Sequence, residues 1–112
     1  MKPRDTLLVR ARARRLDVSG AFHSPLMEPA AARLQAALER VEVGPARFPV
    51  YSNGTAARFG ADPRAELAEN LLRGVRWRET LLALRAAGIE RFVEHGPGAV
   101  LTGLVKRTLA AV

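Results

Sequence analysis

Apolar and polar residues alternate along this chain with two different periods. Met27, Ala30, Ala31, Leu34, Leu38 and Val41 recur three or four positions apart, which lines one face of a helix. Pro25 suits the first turn of that helix, where a missing N–H costs nothing. Glu28 lies early and Arg40 late, as the helix dipole favours, and Gly44-Pro45 stops the pattern. A second helix is expected over Ala65–Arg73, entered through Asp62-Pro63 as cap and first-turn proline and ended by Gly74. Trp77, Leu81 and Leu84 make a further helical stripe closing at Gly88. Leu101, Leu104, Val105 and Leu109 predict a last helix over Ala99–Leu109.

Three stretches read as strands: Arg15–Val18, Phe48–Thr55 and Ile89–Val93. The middle one ends in Asn53-Gly54, a pair expected to supply the positive-φ residues of a tight turn. The order is strand, helix, strand, helix, helix, strand, helix. Strands alternating with helices predict an α/β layer with mostly parallel strands. Three short strands make a thin sheet, so the chain reads as part of a sheet that needs neighbours.

Composition narrows the function classes. The chain has 112 residues, one domain at most. Aromatic residues are 5% of it, so any core rests on Leu, Val and Ala. Cysteine is absent, which excludes disulfides, thiolate zinc sites and a cysteine nucleophile. No apolar run approaches the roughly 18 residues of a membrane span, and Leu7–Val9 is too short for a signal peptide. These features suit a cytoplasmic protein. The net charge of +7 comes mostly from arginine, much of it within Lys2–Arg15. It fits either an acidic partner or simply a solvated face, and the second reading is the weightier. No aromatic residues interleave with those arginines, so a base-stacking nucleic-acid surface is unsupported.

Candidate chemistry centres on "SGAFHSPLM", Ser19–Met27, which holds His23, one of two histidines. Imidazole is the side chain best suited to proton transfer near neutral pH. Ser24 is adjacent, but neighbouring side chains on an extended segment face opposite ways. Neither Ser19 nor Ser52 stands in a G-x-S-x-G elbow. From residues alone, His23 reads as a structural or surface histidine. The rival, His95, follows Glu94, and adjacent residues seldom form a dyad. The "GPG" after it, Gly96–Gly98, could place an anion at a helix N-terminus, but a plain turn is the stronger reading. Two distant histidines without cysteine do not make the clustered spacing of a metal site. Asn70 by itself reads as a surface polar residue.

Four blocks add what composition cannot. "VSGAFHSPLM" (Val18–Met27), "PVYSNGT" (Pro49–Thr55), "ENLLRGVRWRETL" (Glu69–Leu81) and "VEHGPGAVLTGLVKRTL" (Val93–Leu109) stand in order and at fitting distances. Together they resemble the C-terminal part of the malonyl-CoA:acyl-carrier-protein transacylase family, to which the acyltransferase domains of polyketide and fatty-acid synthases are close. The resemblance runs from about Arg15 to Leu109. It implies the C-terminal portion of the α/β acyltransferase core, lacking the nucleophile-elbow half and most of the ferredoxin-like subdomain. Residues 1–14 do not continue the pattern and are read as a basic lead-in, foreign or drifted, before the acyltransferase portion at 15–112.

The resemblance implies acyl transfer in two steps. A serine in a GHSxG elbow takes the malonyl group from coenzyme A, and a histidine moves the proton and later activates the phosphopantetheine thiol of acyl carrier protein. It implies that His23 is this catalytic histidine. It further implies that Asn70 aligns with the residue whose main-chain carbonyl orients it; because the carbonyl does the work, the side chain there need not matter. Phe22 aligns with a position tied to acyl choice, where a ring leaves little room for an α-methyl and favours malonyl groups. The implied partners are malonyl-CoA and acyl carrier protein, with no resident cofactor and no membrane. The elbow serine, oxyanion-hole groups and malonyl-binding arginine have no match here, so the chain is expected to be inactive alone. A non-catalytic basic interaction module and an acyltransferase piece of a polyketide synthase are the alternatives.

Overall fold

The computed structural model describes residues 13–112, so most of the basic lead-in, residues 1–12, lies outside the described residues. A turn of 3-10 helix, Pro25–Met27, opens directly into α1, Glu28–Leu38. A hairpin follows, β1 Tyr51–Ser52 and β2 Ala57–Arg58, then α2 Arg64–Glu69, α3 Trp77–Ala86 and α4 Val100–Ala110. Helices therefore stand in all four expected places.

The apolar stripe of α1 turns toward α2: Ala31 is buried and Leu34 and Leu38 are half-buried. Ala68 of α2 is buried in the same layer. Arg64 ties the two helices together. Its Nε–H donates to the Leu38 and Val41 carbonyls at 3.1 and 3.2 Å, and its Nη2–H reaches Val41 O at 2.8 Å. A cation thus meets carbonyls at the C-terminus of α1, where the helix dipole favours it. Asp62 Oδ1 accepts from Arg64 N–H at 3.2 Å, starting α2 near the expected Asp62-Pro63 boundary.

α3 packs on α4 through Leu81, which is fully buried. It ends as the sequence predicts. Gly88 has φ 91°, Ile89 N–H returns to Leu84 O at 3.0 Å, and Gly88 N–H to Arg85 O at 3.0 Å. That is a Schellman stop, which needs the left-handed backbone glycine tolerates. Between α3 and α4 runs an apolar groove of about 430 Å³ lined by Trp77, Leu84, Phe92 and Val105 among others. No helix among the described residues is long and apolar enough to cross a membrane.

The sheet departs from expectation. The only strand pairing among the described residues is the antiparallel β1–β2 hairpin, Tyr51 opposite Arg58 and Ser52 opposite Ala57. Arg15–Val18 and Ile89–Val93 carry no sheet hydrogen bonds there. A strand is completed only by a neighbour that satisfies its backbone groups, and no described segment supplies one to either. The turn chemistry differs as well. The positive-φ residue of the hairpin loop is Ala56, at 55°, and neither Asn53 nor Gly54 has positive φ. Last, α2 ends at Glu69 rather than at Arg73. Leu71 N–H and Leu72 N–H bond three residues back, to Ala68 O and Glu69 O at 3.2 and 2.9 Å. This tighter turn releases carbonyls for other work.

Candidate active site

The released carbonyls are taken by His23. Its ring Nδ1 lies 2.9 Å from Asn70 O and 3.0 Å from Arg73 O, and its backbone N–H donates to Leu71 O at 3.0 Å. Three bonds therefore fasten one residue to the turn that ends α2. Both acceptors of Nδ1 are carbonyls, which only accept, so Nδ1 must carry the proton. In the neutral ring Nε2 is then the unprotonated nitrogen. Nε2 has no hydrogen-bond partner among the described residues, and His23 is exposed. A base with a fixed tautomer and an open basic nitrogen is what proton abstraction needs.

The backbone of His23 is as constrained as its ring. It has φ 62°, a left-handed conformation that is uncommon for residues other than glycine but less so for histidine. That twist turns the chain from Phe22 toward the Pro25 helical turn while aiming the imidazole at the end of α2. The carbonyls there carry the partial negative charge of a helix C-terminus, favourable to an imidazolium.

The tempting serine partners are engaged elsewhere. Ser24 Oγ–H donates to Ala21 O at 2.6 Å. Ser52 is 0% exposed and pairs with the side chain of Asn70. Phe22, beside the histidine, is 50% exposed, and its ring lies over Gly20, where an added Cβ would sit 3.4 Å away. Asn70 is not the surface residue that its neighbours in sequence suggest: it is 7% exposed. The second candidate, Glu94–His95, is not a dyad. The Glu94 carboxylate accepts from Thr102 Oγ1–H at 2.7 Å, Thr102 N–H at 3.0 Å and Leu101 N–H at 3.3 Å. It caps α4 and occupies the N–H groups an anion would use. Gly96 and Gly98, at φ 125° and 82°, make the turn that brings Glu94 there. No cluster of three metal-ligating side chains exists among the described residues.

Sequence reasoning brought His23, Asn70 and Phe22 forward. It missed Arg73, which acts through its carbonyl and so leaves no mark in residue type. It weighed Ser52 only as a nucleophile.

Comparison with known proteins bears on this geometry. A malonyl CoA-acyl carrier protein transacylase of Bacillus subtilis is 45% identical over 98 residues, 86% of this chain and 31% of its own. The backbone matches a solved malonyl-transacylase, in complex with a type II polyketide acyl-carrier protein, with TM-score 0.80 and 39% identity over 85% of this chain and 31% of that one. Over most of its length the chain is homologous to part of a malonyl CoA-acyl carrier protein transacylase. A phenolphthiocerol synthesis polyketide synthase of Mycobacterium marinum also matches, 38% identical over 103 residues, 88% of this chain and 5% of its own. No protein-family model matches. The chain spans about a third of the length of the transacylase relatives, 31% and 37% of two of them. The likeness to acyltransferase folds is thus a likeness to one portion of them.

Proposed function

We propose that this chain provides the proton-transferring histidine of a malonyl-CoA:acyl-carrier-protein transacylase. The observation that carries the reading is the paired bond from His23 Nδ1 to Asn70 O and Arg73 O. Two carbonyls at the end of α2 take the part that a carboxylate plays in a serine-histidine-aspartate triad: they hold the tautomer and favour the imidazolium.

In the first half-reaction Nε2 accepts the serine hydroxyl proton as the serine oxygen attacks the malonyl thioester. The imidazolium returns that proton to the departing coenzyme A sulfur, leaving a malonyl-serine ester. In the second half-reaction Nε2 takes the proton of the carrier protein's phosphopantetheine thiol as the sulfur attacks the ester. The proton then passes to the serine oxygen, which leaves. The serine belongs, in this reading, to the portion of the transacylase fold that these residues do not match, and the 112-residue chain is inactive by itself. Phe22 restricts the space beside His23 and favours malonyl over α-methylated groups.

The test is a chimera in which residues 15–112 replace the matching third of the Bacillus subtilis transacylase. It should transfer malonyl groups to carrier protein. His23→Ala within it should lower the rate by about 10²–10⁴-fold, the usual worth of a positioned acid-base group, while the unfused chain gives background turnover. A folded chimera indifferent to His23→Ala sinks the reading.

A further inference from the structure

The main-chain carbonyl of Asn70 holds His23, and on that ground its side chain looks replaceable. Its surroundings say otherwise. Asn70 and Ser52 are the two buried polar residues among those described, at 7% and 0% exposure. Asn70 Nδ2–H donates to Ser52 Oγ at 3.0 Å, and the Ser52 hydroxyl faces Asn70 Oδ1 at 3.3 Å. Buried amide and hydroxyl groups are tolerated because they find partners, and these two find each other across 18 residues of sequence.

Gly54 shapes the same contact. A Cβ on Gly54 would lie 2.4 Å from Asn70 Oδ1, a separation no packed atoms adopt. Its φ is not in the left-handed region, so glycine serves here as space rather than as a turn-former. The backbone of Asn70 is held from the other side, where its N–H donates to Glu66 O at 2.9 Å. The peptide plane carrying Asn70 O also holds the Leu71 N–H, which donates to Ala68 O at 3.2 Å. With that bond, the Asn70 N–H and the side-chain amide all engaged, the plane has little freedom, and its oxygen sits 2.9 Å from His23 Nδ1.

We infer that Ser52 and Gly54 are positioning residues for His23: the Ser52–Asn70 pair, seated in the space Gly54 leaves, fixes one of the two carbonyls that hold the ring. The catalytic meaning of the device rests on the transacylase reading, but its physical effect does not. Nitrogen-15 NMR of the full 112-residue chain reads the tautomer of His23 directly, with no turnover required. The wild-type ring should be dominated by the form with the proton on Nδ1. Ser52→Ala should lower that dominance, because the Arg73 carbonyl alone then holds Nδ1–H firmly, and so should Gly54→Ala, with the helical circular dichroism unchanged. Adding Gly54→Ala to Asn70→Ala should change nothing further, because the clashing amide is gone.

A wild-type ring without a dominant Nδ1–H form would overturn the proposal. So would Ser52→Ala and Gly54→Ala rings like the wild type, or a Gly54→Ala effect that persists in the Asn70→Ala background. If Ser52→Ala unfolds, the Gly54 and Asn70 variants decide. Loss of helical signal in all of them would make the contact structural only, which also overturns the inference. An inactive chimera with these NMR results intact would refute the transacylase reading and leave the positioning device standing.

Discussion

His23 holds φ 62°, which costs a residue with a Cβ about 1–2 kcal/mol. Its hydrogen bonds to the carbonyls of Asn70, Leu71 and Arg73 offset that cost, so strain and aim come from the same contacts. Phe22 is committed by this geometry too. His23, its neighbour in sequence, is held by those bonds, and the Phe22 ring itself rests over Gly20 and stays half-exposed. One methyl group in a tight pocket is worth about 1–3 kcal/mol of discrimination. Phe22→Ala in the chimera is therefore expected to raise methylmalonyl transfer relative to malonyl by about tenfold, measured by competition between the two thioesters. An unchanged ratio would remove Phe22 from the determinants of acyl size. At this scale the sequence was legible where a distinctive side chain stands in a recognisable block, as His23 does. It was opaque at Ser52 and Gly54, which look like an ordinary strand residue and an ordinary turn glycine until α2 packs on them.

Elements are joined by charged groups at helix ends. Arg64 has a side chain 28% exposed and serves two carbonyls of the α1 terminus. Arg64→Ala should destabilise the chain by about 1.5–3 kcal/mol, the scale of hydrogen bonds from a charged donor, and Arg64→Lys should recover only part because an ammonium lacks the fork. Thermal unfolding followed by circular dichroism checks both. Glu94 caps α4, and its pKa is lowered. The Thr102 hydroxyl contributes most, then the Thr102 N–H, with the Leu101 N–H also lowering it and slight burial opposing them. A carboxyl whose folded pKa lies below its unfolded value stabilises the fold above the ordinary glutamate pKa of about 4.3. That contribution is lost as pH falls through the lower, folded value. Stability should therefore drop across the acid range in the parent, and Glu94→Gln should flatten part of that drop while lowering stability at neutral pH. Parallel acid-unfolding curves for the two proteins would contradict the cap. Helix positions were legible because periodicity, Pro25 and Gly88 are local signals. The early end of α2 was not, because Asn70–Arg73 continues an acceptable helical pattern, and the residue that takes up its carbonyls, His23, lies 47 positions from Asn70.

At the scale of the whole molecule, the described residues leave many large apolar side chains exposed. Leu16, Val18 and Val93 are among the large apolar side chains left in water, and they lie in or beside the two segments read as strands. The sequence gives those segments strand character through alternation and β-branched residues. Pairing, however, depends on where a second backbone lies, and that is information no single segment carries. The transacylase relatives are about three times as long as the matched stretch, and their remaining residues are the natural source of such a backbone. Backbone amides without a sheet partner exchange their hydrogens readily, while packed helices protect theirs. In the isolated chain, amides of residues 15–18 and 90–93 should exchange at nearly unprotected rates, while those of α3 around Leu81 are slowed. In the chimera the same strand amides should slow by at least about tenfold as they enter a sheet. Hydrogen exchange read by mass spectrometry distinguishes the outcomes. Equal protection in both proteins would mean that the segments are already paired in the isolated chain. Rapid exchange persisting in an active chimera would mean that they never join a sheet, and that the α/β layer is built without them.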